Sequence, residues 1–300
     1  MKLVAVSGGL GFIGREVVAQ LLARGDQVWV VDAGTYAADL SLLYDRAFRY
    51  RSCDIVDLPH LPDVDAVINL AAETHVDNSI RDSRAFVRSN VLGVQNLLEL
   101  CRGKELPPTF IQISTDEVYG DCPEGESSEE APLRPSSPYA ASKAAADHLV
   151  QSYGRTYGLP YAIVRPSNCY GPHQYPEKLI PKAVRNFVQD RPMPLHASGS
   201  PIRSWLSVGD CARAILTVLD RGLGVFNVPG NTDASVTHIL ARIAELLEVT
   251  AEVTPTARPG LDSRYHVSGE PLRALGWVPT GDFWADLPAL VEVEAANPRW

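Results

Sequence analysis

An open parallel β-sheet covered by helices on both faces, followed by a smaller C-terminal α/β lobe, is the architecture this sequence predicts. Three observations carry the prediction. From residue 1 to about 165, short apolar runs alternate with segments of helical periodicity, the pattern of consecutive βαβ units. The first apolar run leads straight into a glycine-rich turn, Ser7-Gly8-Gly9-Leu10-Gly11-Phe12-Ile13-Gly14, that opens a helix. A strand, a turn of this kind and a helix in succession make the sheet one of Rossmann type. After residue 165 the texture changes: Pro166, Gly171, Pro172, Pro176, Pro181, Pro192 and Pro194 divide the chain into short elements.

Taken in order, the strands are expected at residues 3–6, 28–31, 66–70, 110–113 and 161–164. The helices between them are expected at 12–23, 82–101 and 139–157. Helix 82–101 carries Phe86, Val87, Val91, Val94, Leu97, Leu98 and Cys101 at helical spacing. That is more apolar surface than one sheet contact needs, so the segment reads as an interface helix as well. Residues 210–220 form a further helix and 225–228 a strand that returns to the first sheet. The stretch 258–300 mixes loops with short helical patterns. The Ser- and Glu-rich segment 124–130 reads as a solvated loop.

Composition narrows the function. The 300 residues carry 27 Lys plus Arg against 36 Asp plus Glu, a net charge of -9, so the global field repels polyanions and membrane surfaces. Nucleic acid and membranes are excluded as partners on this ground. An anionic ligand must then be held by a local group of cations or backbone N–H groups. Cys53, Cys101, Cys122, Cys169 and Cys211 are scattered and never in C-x-x-C spacing, which speaks against a disulfide framework and against a metal site. The N-terminus enters the first strand with no signal-like apolar region and cleavage site, so the expected compartment is the cytoplasm.

Glycine is required at positions 8, 11 and 14 because the turn is tight, a pyrophosphate must approach the backbone, and the helix must pack close to the strand. The helix N-terminus then offers N–H groups and the positive end of its dipole to phosphates. Asp32, at the end of the second strand, suits the diol of a ribose and repels a 2′-phosphate. The cofactor expected is therefore NAD rather than NADP.

Tyr139 and Lys143 stand one turn apart near the start of a helix that Ser137 caps and Pro138 opens. An ammonium in that position favours the phenolate form of a tyrosine and fits it to act as a base. The spacing alone is a common coincidence in a chain with 11 tyrosines. More informative is Ser114-Thr115-Asp116-Glu117-Val118-Tyr119-Gly120, immediately after the strand 110–113, where an open α/β sheet presents its ligands. Adjacent acids in a turn commonly face solvent. Beside a Tyr/Lys pair they can instead divide the work of acid and base in an elimination, provided their environments separate their pKa values.

Two further stretches complete a pattern: Leu70-Ala71-Ala72-Glu73-Thr74-His75-Val76-Asp77 and Tyr175-Pro176-Glu177-Lys178-Leu179-Ile180-Pro181. With the glycine loop, the Thr-Asp-Glu turn and Tyr139-x-x-x-Lys143, they resemble the extended short-chain dehydrogenase/reductases. The Thr-Asp-Glu and Pro-Glu-Lys-Leu-Ile-Pro stretches narrow the likeness to the dTDP-glucose 4,6-dehydratases. It runs nearly end to end, closing with Arg258-Pro259-Gly260, Asp262, Arg264 and Tyr265.

This resemblance implies an NAD-binding Rossmann domain at 1–165, with a return of 197–228, and a mainly nucleotide-sugar-binding lobe at 166–300. It implies a reaction in which an NDP-hexose loses water to give an NDP-4-keto-6-deoxyhexose. Tyr139 would take the proton of the 4-hydroxyl as hydride leaves C4, with Lys143 lowering the pKa of Tyr139 and Thr115 orienting the oxygen. Glu117 would remove the C5 proton and Asp116 would protonate the departing 6-hydroxyl. NAD would be held by Gly8, Gly11, Phe12, Ile13, Gly14, Asp32, Thr35, Asp54, Ile55, Leu70, Ala71, Ala72, Thr74, Ser89, Tyr139, Lys143 and Cys169. The nucleotide sugar would meet Thr74, Thr115, Asn168, Glu177, Lys178, Leu179, Arg203 and Arg258. The two arginines suit a pyrophosphate, which favours planar donor forks. Arg264 reads equally well as the partner of a carboxylate, and Trp205 as core.

The sequence departs from the family pattern at Cys169, Ser204 and Leu261, where Asn, Asp and His are usual, and it is shorter than most members. Cys169 is expected on the cofactor side, Ser204 and Leu261 on the diphosphate side. A 4-epimerase or 5,6-dehydratase shares the C4 oxidation and is the nearest alternative; a non-catalytic subunit that senses the dinucleotide is a more distant one. The family arrangement also implies a homodimer, with helices 82–101 and 139–157 of two copies forming a four-helix bundle.

Overall fold

The computed structural model describes residues 1–44 and 47–296. Its first half runs β1 (Leu3–Ser7), α1 (Phe12–Ala23), β2 (Gln27–Asp32), β3 (Arg49–Ser52), β4 (Ala66–Asn69), α2 (Val76–Arg81), α3 (Arg84–Val87), α4 (Gly93–Arg102), β5 (Thr109–Ile113), α5 (Pro138–Tyr157) and β6 (Tyr161–Pro166). The second half runs β7 (Asn168–Tyr170), α6 (Leu179–Val188), β8 (Met193–His196), β9 (Ile202–Ser207), α7 (Val208–Arg221), β10 (Gly224–Val228), β11 (Thr232–Ser235), α8 (Val236–Leu246), β12 (Val253–Thr256), α9 (Glu270–Ala274) and α10 (Phe283–Ala296).

Seven strands, every neighbouring pair parallel, make the main sheet in the order β10-β6-β5-β4-β1-β2-β3. The chain reverses its direction of winding between β1 and β4, so a crevice opens at the carboxyl ends of these strands, where this sheet type holds its ligands. Both faces are covered, which is why the central strands read as apolar runs. Val4, Val6 and Ile68 pack on one side with α1 and α7, whereas Ala5, Val67 and Phe110 pack on the other with α4 and α5. The edge strand β3, Arg-Tyr-Arg-Ser, lacks any apolar run and carries no strand signal in the sequence.

The segment expected as one helix over 82–101 is interrupted. Asp82 is extended and its carboxylate accepts the Arg84 N–H at 3.0 Å, so helical backbone begins only at Arg84. Between α3 and α4, residues Arg88–Leu92 form a π-helical turn that carries Asn90 into the interior. Just beyond it, a Cβ on Gly93 would lie 2.6 Å from Ile55 Cδ1, so only glycine lets the helix approach there.

Within 197–228, α7 packs on α1 and β10 joins the main sheet, whereas β9 lies in a three-stranded sheet of the second layer, β11-β9-β7. That sheet with α6, α8 and α10 encloses a separate apolar core around Phe187, Trp205, Ile239 and Phe283. The segment 124–130 is the solvated loop expected from its composition, mostly exposed and without regular structure. It is anchored near its end: Ser127 pairs with Val267 through Ser127 N–H to His266 O (2.9 Å) and Ser268 N–H to Ser127 O (3.0 Å), and Glu129 accepts the Asn227 N–H at 3.0 Å.

Candidate active site

Gly8 sits at φ 71°, its N–H on Val31 O at 2.8 Å, and Gly11 N–H returns to Gly8 O at 3.2 Å. A Cβ on Gly14 would lie 2.0 Å from the Gly8 carbonyl oxygen, and one on Gly8 would lie 2.6 Å from Ala71 N. The turn, the helix and β4 are thus in backbone contact. Gly11 caps α1 with no side chain, which leaves the N–H groups of the first turn open to an anion. Asp32 closes the loop: its two oxygens accept Leu10 N–H (3.0 Å) and Gly34 N–H (2.9 Å), and each retains a lone pair for a hydroxyl. These residues fit a dinucleotide. Arg88, on the wall beside Asp32, is paired with Asp57 at 2.7 Å.

The residues expected to react gather where β5 ends and α5 begins. Ser137 Oγ accepts the Ala140 N–H at 3.1 Å and Pro138 opens the helix. Tyr139 then lies in the first turn, with its N–H on Ser79 Oγ (3.1 Å) and its carbonyl accepting Ser142 Oγ (2.7 Å). Asn90, on the π turn, donates to the same Ser142 hydroxyl at 2.9 Å and grips Glu73 N–H and C=O. Lys143 Nζ donates to Ile113 O at 2.5 Å. Facing them, Thr115 caps a 3₁₀ turn over Asp116–Tyr119 that ends at Gly120, φ 78°.

Electrostatics divides these groups. Burial, reinforced by the neighbouring Glu117, pushes the Asp116 carboxyl up to about 7, against the opposing Arg203 charge and the Ser167 and Thr115 hydroxyls. Its Oδ2 is buried without a hydrogen-bond partner. Burial raises Glu117 too, but the charges of Arg203, Arg258 and Lys178 draw it back down. Lys143 is lowered by burial to about 8, with Asp147 resisting. The Tyr139 phenol is raised by burial and by Glu117 and Asp116, while the Thr115 hydroxyl opposes the rise. Cys169 is pushed up by its contact with Cys211 and by burial.

A family model described as the NAD dependent epimerase/dehydratase family matches residues 4–229. The chain belongs to this family. A dTDP-glucose 4,6-dehydratase of Escherichia coli (strain K12) is 38% identical to it, covering 99% of this chain and 94% of the relative. The crystal structure of a dTDP-glucose 4,6-dehydratase from Streptomyces venezuelae with NAD bound superposes with a TM-score of 0.95 at 36% identity, over 99% of this chain and 98% of that one. A UDP-glucose 4-epimerase of Thermus thermophilus in complex with NAD follows at TM-score 0.89 and 31% identity, over 97% and 98% of the two chains.

Within this epimerase/dehydratase chain the expected residues fall into two joined chambers. One is lined by Gly8, Gly11, Phe12, Ile13, Gly14, Leu70, Ala72, Thr74, Thr115, Asp116, Glu117, Tyr139, Lys143, Asn168, Cys169, Glu177 and Lys178. Asp32, Thr35, Asp54, Ile55, Ala71 and Ser89 line the other, with Gly8 and Gly11 shared. Leu179, Arg203 and Arg258 do not line the cleft. Leu179 begins α6, and Arg203 lies 4.2 Å over the Tyr265 ring with its guanidinium on Ile202 O and Asp262 O. Arg258 stands 3.7 Å from Asp77, its Nε unpartnered. Both arginines nevertheless reach Glu117 by charge.

Ser204, buried with an unpartnered hydroxyl in β9, and Leu261 also lie off the cleft. Arg264 faces Asp233 at 3.8 Å, and Trp205 stacks on Phe283 in the lobe core. Ser167 and Gln174 line the chamber without having been singled out in the sequence; Gln174 donates to Cys169 O at 2.8 Å. The signal that could have found Ser167 is its place directly after β6, at the carboxyl end of that strand.

Proposed function

We propose that the chain is a nucleotide-sugar 4,6-dehydratase that converts dTDP-glucose to its 4-keto-6-deoxy product and water with bound NAD. The observation that carries this reading is the Asp116/Glu117 pair. Two buried, adjacent carboxyl groups beside a Tyr/Thr/Lys constellation, one pushed up to about 7 and the other facing the charges of Arg203, Arg258 and Lys178, serve an elimination, whereas a simple epimerisation at C4 has no use for an acid at C6.

The glycine turn, Asp32, Tyr139 and Lys143 would hold NAD, which when bound would supply the hydride acceptor for C4 and the hydride donor for C6. Tyr139 accepts the 4-hydroxyl proton, and the Thr115 hydroxyl, which faces the phenol, orients that oxygen. With C4 a ketone, the C5 proton becomes acidic and Glu117 removes it; the charges of Arg203, Arg258 and Lys178 favour its carboxylate form against the rise that burial imposes. Asp116, protonated up to about pH 7, gives its proton to the departing 6-hydroxyl. Lys178, whose ammonium also donates to Thr74 Oγ1 at 3.0 Å, and Asn168 hold the nucleotide diphosphate from the cleft wall, with Arg203 and Arg258 acting by charge from outside it. Residues 1–165 with α7 and β10 provide the cofactor half and the lobe provides the substrate half.

The five cysteines are free thiols, which supports a reducing, cytoplasmic site of action. No helix among the described residues is long and apolar enough to cross a membrane. Two copies pair through α4 and α5, flanked by the exposed Val87 and Leu92.

The test follows one atom. dTDP-glucose deuterated at C4 is expected to lose one water and yield a product with deuterium in its new C6 methyl group and solvent hydrogen at C5. Deuterium returned to C4 means an epimerase or a 5,6-dehydratase. No turnover of any nucleotide sugar, with NAD bound, means a sensing subunit.

A further inference from the structure

Beneath the cleft lies a charged group that the reaction described above does not use. Asp147, on α5 one turn beyond Lys143, has no exposed surface. Its Oδ2 accepts both Ser114 Oγ (3.0 Å) and Arg165 Nε (2.9 Å), while Oδ1 is buried without a partner. Arg165, itself buried, donates also to Tyr119 OH at 2.6 Å, and that hydroxyl donates to Asn227 Oδ1 at 2.8 Å.

We propose that Asp147 is a positioning residue for proton transfer at Tyr139, keeping Lys143 an ammonium inside the closed interior of the sheet. Two features of the geometry separate this from a simple counter-ion for Arg165. A counter-ion would offer the guanidinium both oxygens in a two-pronged pairing, the stronger arrangement. Here one oxygen takes a single guanidinium N–H and shares it with Ser114, and the other is left free, so the charge is present without the full set of bonds. Ser114, moreover, stands between Ile113, whose carbonyl receives Lys143 Nζ, and Thr115, whose hydroxyl faces the phenol. One carboxylate thereby ties α5 to the strand end that both groups use.

Charge counting points the same way. Burial raises the Asp147 carboxyl, while the Arg165 charge, the Arg165 and Ser114 hydrogen bonds and the Lys143 charge oppose that rise; as a carboxylate it answers one of the two positive charges, Lys143 and Arg165, that the interior holds. The titratable groups that share the space around Lys143 are Tyr139 and Asp147 on its own helix, Asp116 and Glu117 on the turn after β5, Cys169 on β7 and, through Asp147, Arg165 on β6. Among these, Asp147 is the one that holds the ammonium up against burial.

The inference rests on the dehydratase reading only for the task of Tyr139, and its test stands apart from activity. The chain has five lysines, so lysine labelled with ¹³C at Cε gives a readable titration, with the Lys143 signal assigned by its loss in Lys143→Met. The wild-type midpoint is expected near 8, and Asp147→Asn is expected to lower it by about one pH unit or more while the other four signals stay in place. Asp147→Asn/Arg165→Met removes the stranded guanidinium should the single variant fold poorly, and it is expected to keep the lowered midpoint. A Lys143 midpoint unchanged in either folded variant overturns the proposal, because a counter-ion for Arg165 alone would leave it there. The alkaline limb of kcat for dTDP-glucose should move down with the midpoint. A midpoint that falls in a protein with no turnover retains this inference and rejects the functional reading.

Discussion

Replacing Asp116 by Asn should make the protein more stable as it makes it inactive, by an amount that depends on pH. Asp116 is 3% exposed and its carboxyl is pushed from 3.8 to about 7, chiefly by burial. An acid whose pKa is higher in the folded state binds its proton more tightly there. Folding is therefore unpenalised below the unfolded value and carries the full penalty above the folded one. With one pKa unit worth about 1.36 kcal/mol, the penalty is about 4 kcal/mol at pH 8 and about 2 kcal/mol at pH 5.

Asn cannot ionise and escapes it. Its effect on packing, and the altered contact with the Thr115 hydroxyl, add an offset that is the same at both pH values and cancels in the difference. Urea unfolding of wild type and variant at the two pH values should thus show the variant gaining about 2–3 kcal/mol more at pH 8 than at pH 5. Equal stability differences at the two values would falsify the assignment of Asp116 as the acid that stays protonated near neutrality.

Tyr139→Phe is expected to lower turnover by ~10²-fold or more while NAD stays bound, read by releasing and quantifying the nucleotide, because the glycine turn and Asp32 are untouched. Glu117→Gln should still oxidise C4 but retain the C5 proton, so NADH absorbance builds up without loss of water; elimination at the normal rate would show that another group is the base. Gly14→Ala forces a methyl group into the Gly8 carbonyl and should strip NAD from the protein, with a loss of stability of about 1–3 kcal/mol measurable by urea unfolding. Sedimentation should give a dimer at micromolar concentration for the wild type and a monomer for Val87→Arg/Leu92→Arg; a wild-type monomer rejects the α4/α5 pairing.

The βαβ half was legible in the sequence because each of its signals is local. An apolar run at β1, a glycine turn in which Gly8 and Gly14 admit no Cβ, and Ser137-Pro138 ahead of Tyr139 each act within a few residues. What escaped depends on distant partners. Strand β3 exists because Trp29 and Val31 offer Arg49 and Arg51 a ladder, not because its own residues favour a strand. The π turn at Arg88–Leu92 is visible only once Asn90 meets Glu73 and Ser142. Within the solvated loop 124–130, the bridge of Ser127 to Val267 is likewise invisible, because its partner lies far along the chain. At the site, residue types and order pointed to Thr115, Asp116, Glu117, Tyr139 and Lys143, which the fold does bring to one cleft, but the positions of Arg203 and Arg258 off the cleft follow from how β9 and the 258–262 segment fold back, which periodicity does not record.

The route of the chain through the main sheet bears on how the protein can be made. Strand β6 ends at residue 166, yet its outer neighbour β10 comes from residues 224–228, and α9 and Trp277 from still later in the chain pack behind that edge. During synthesis the nascent sheet must therefore wait, with the backbone of β6 unpaired along one side, until most of the lobe has been translated. Such an edge invites pairing with another chain, and long-range closure of this kind is slow. A fragment ending near residue 165 would carry that open edge permanently, so the two halves cannot be separated by cutting the chain once. They are products of a single, late folding event.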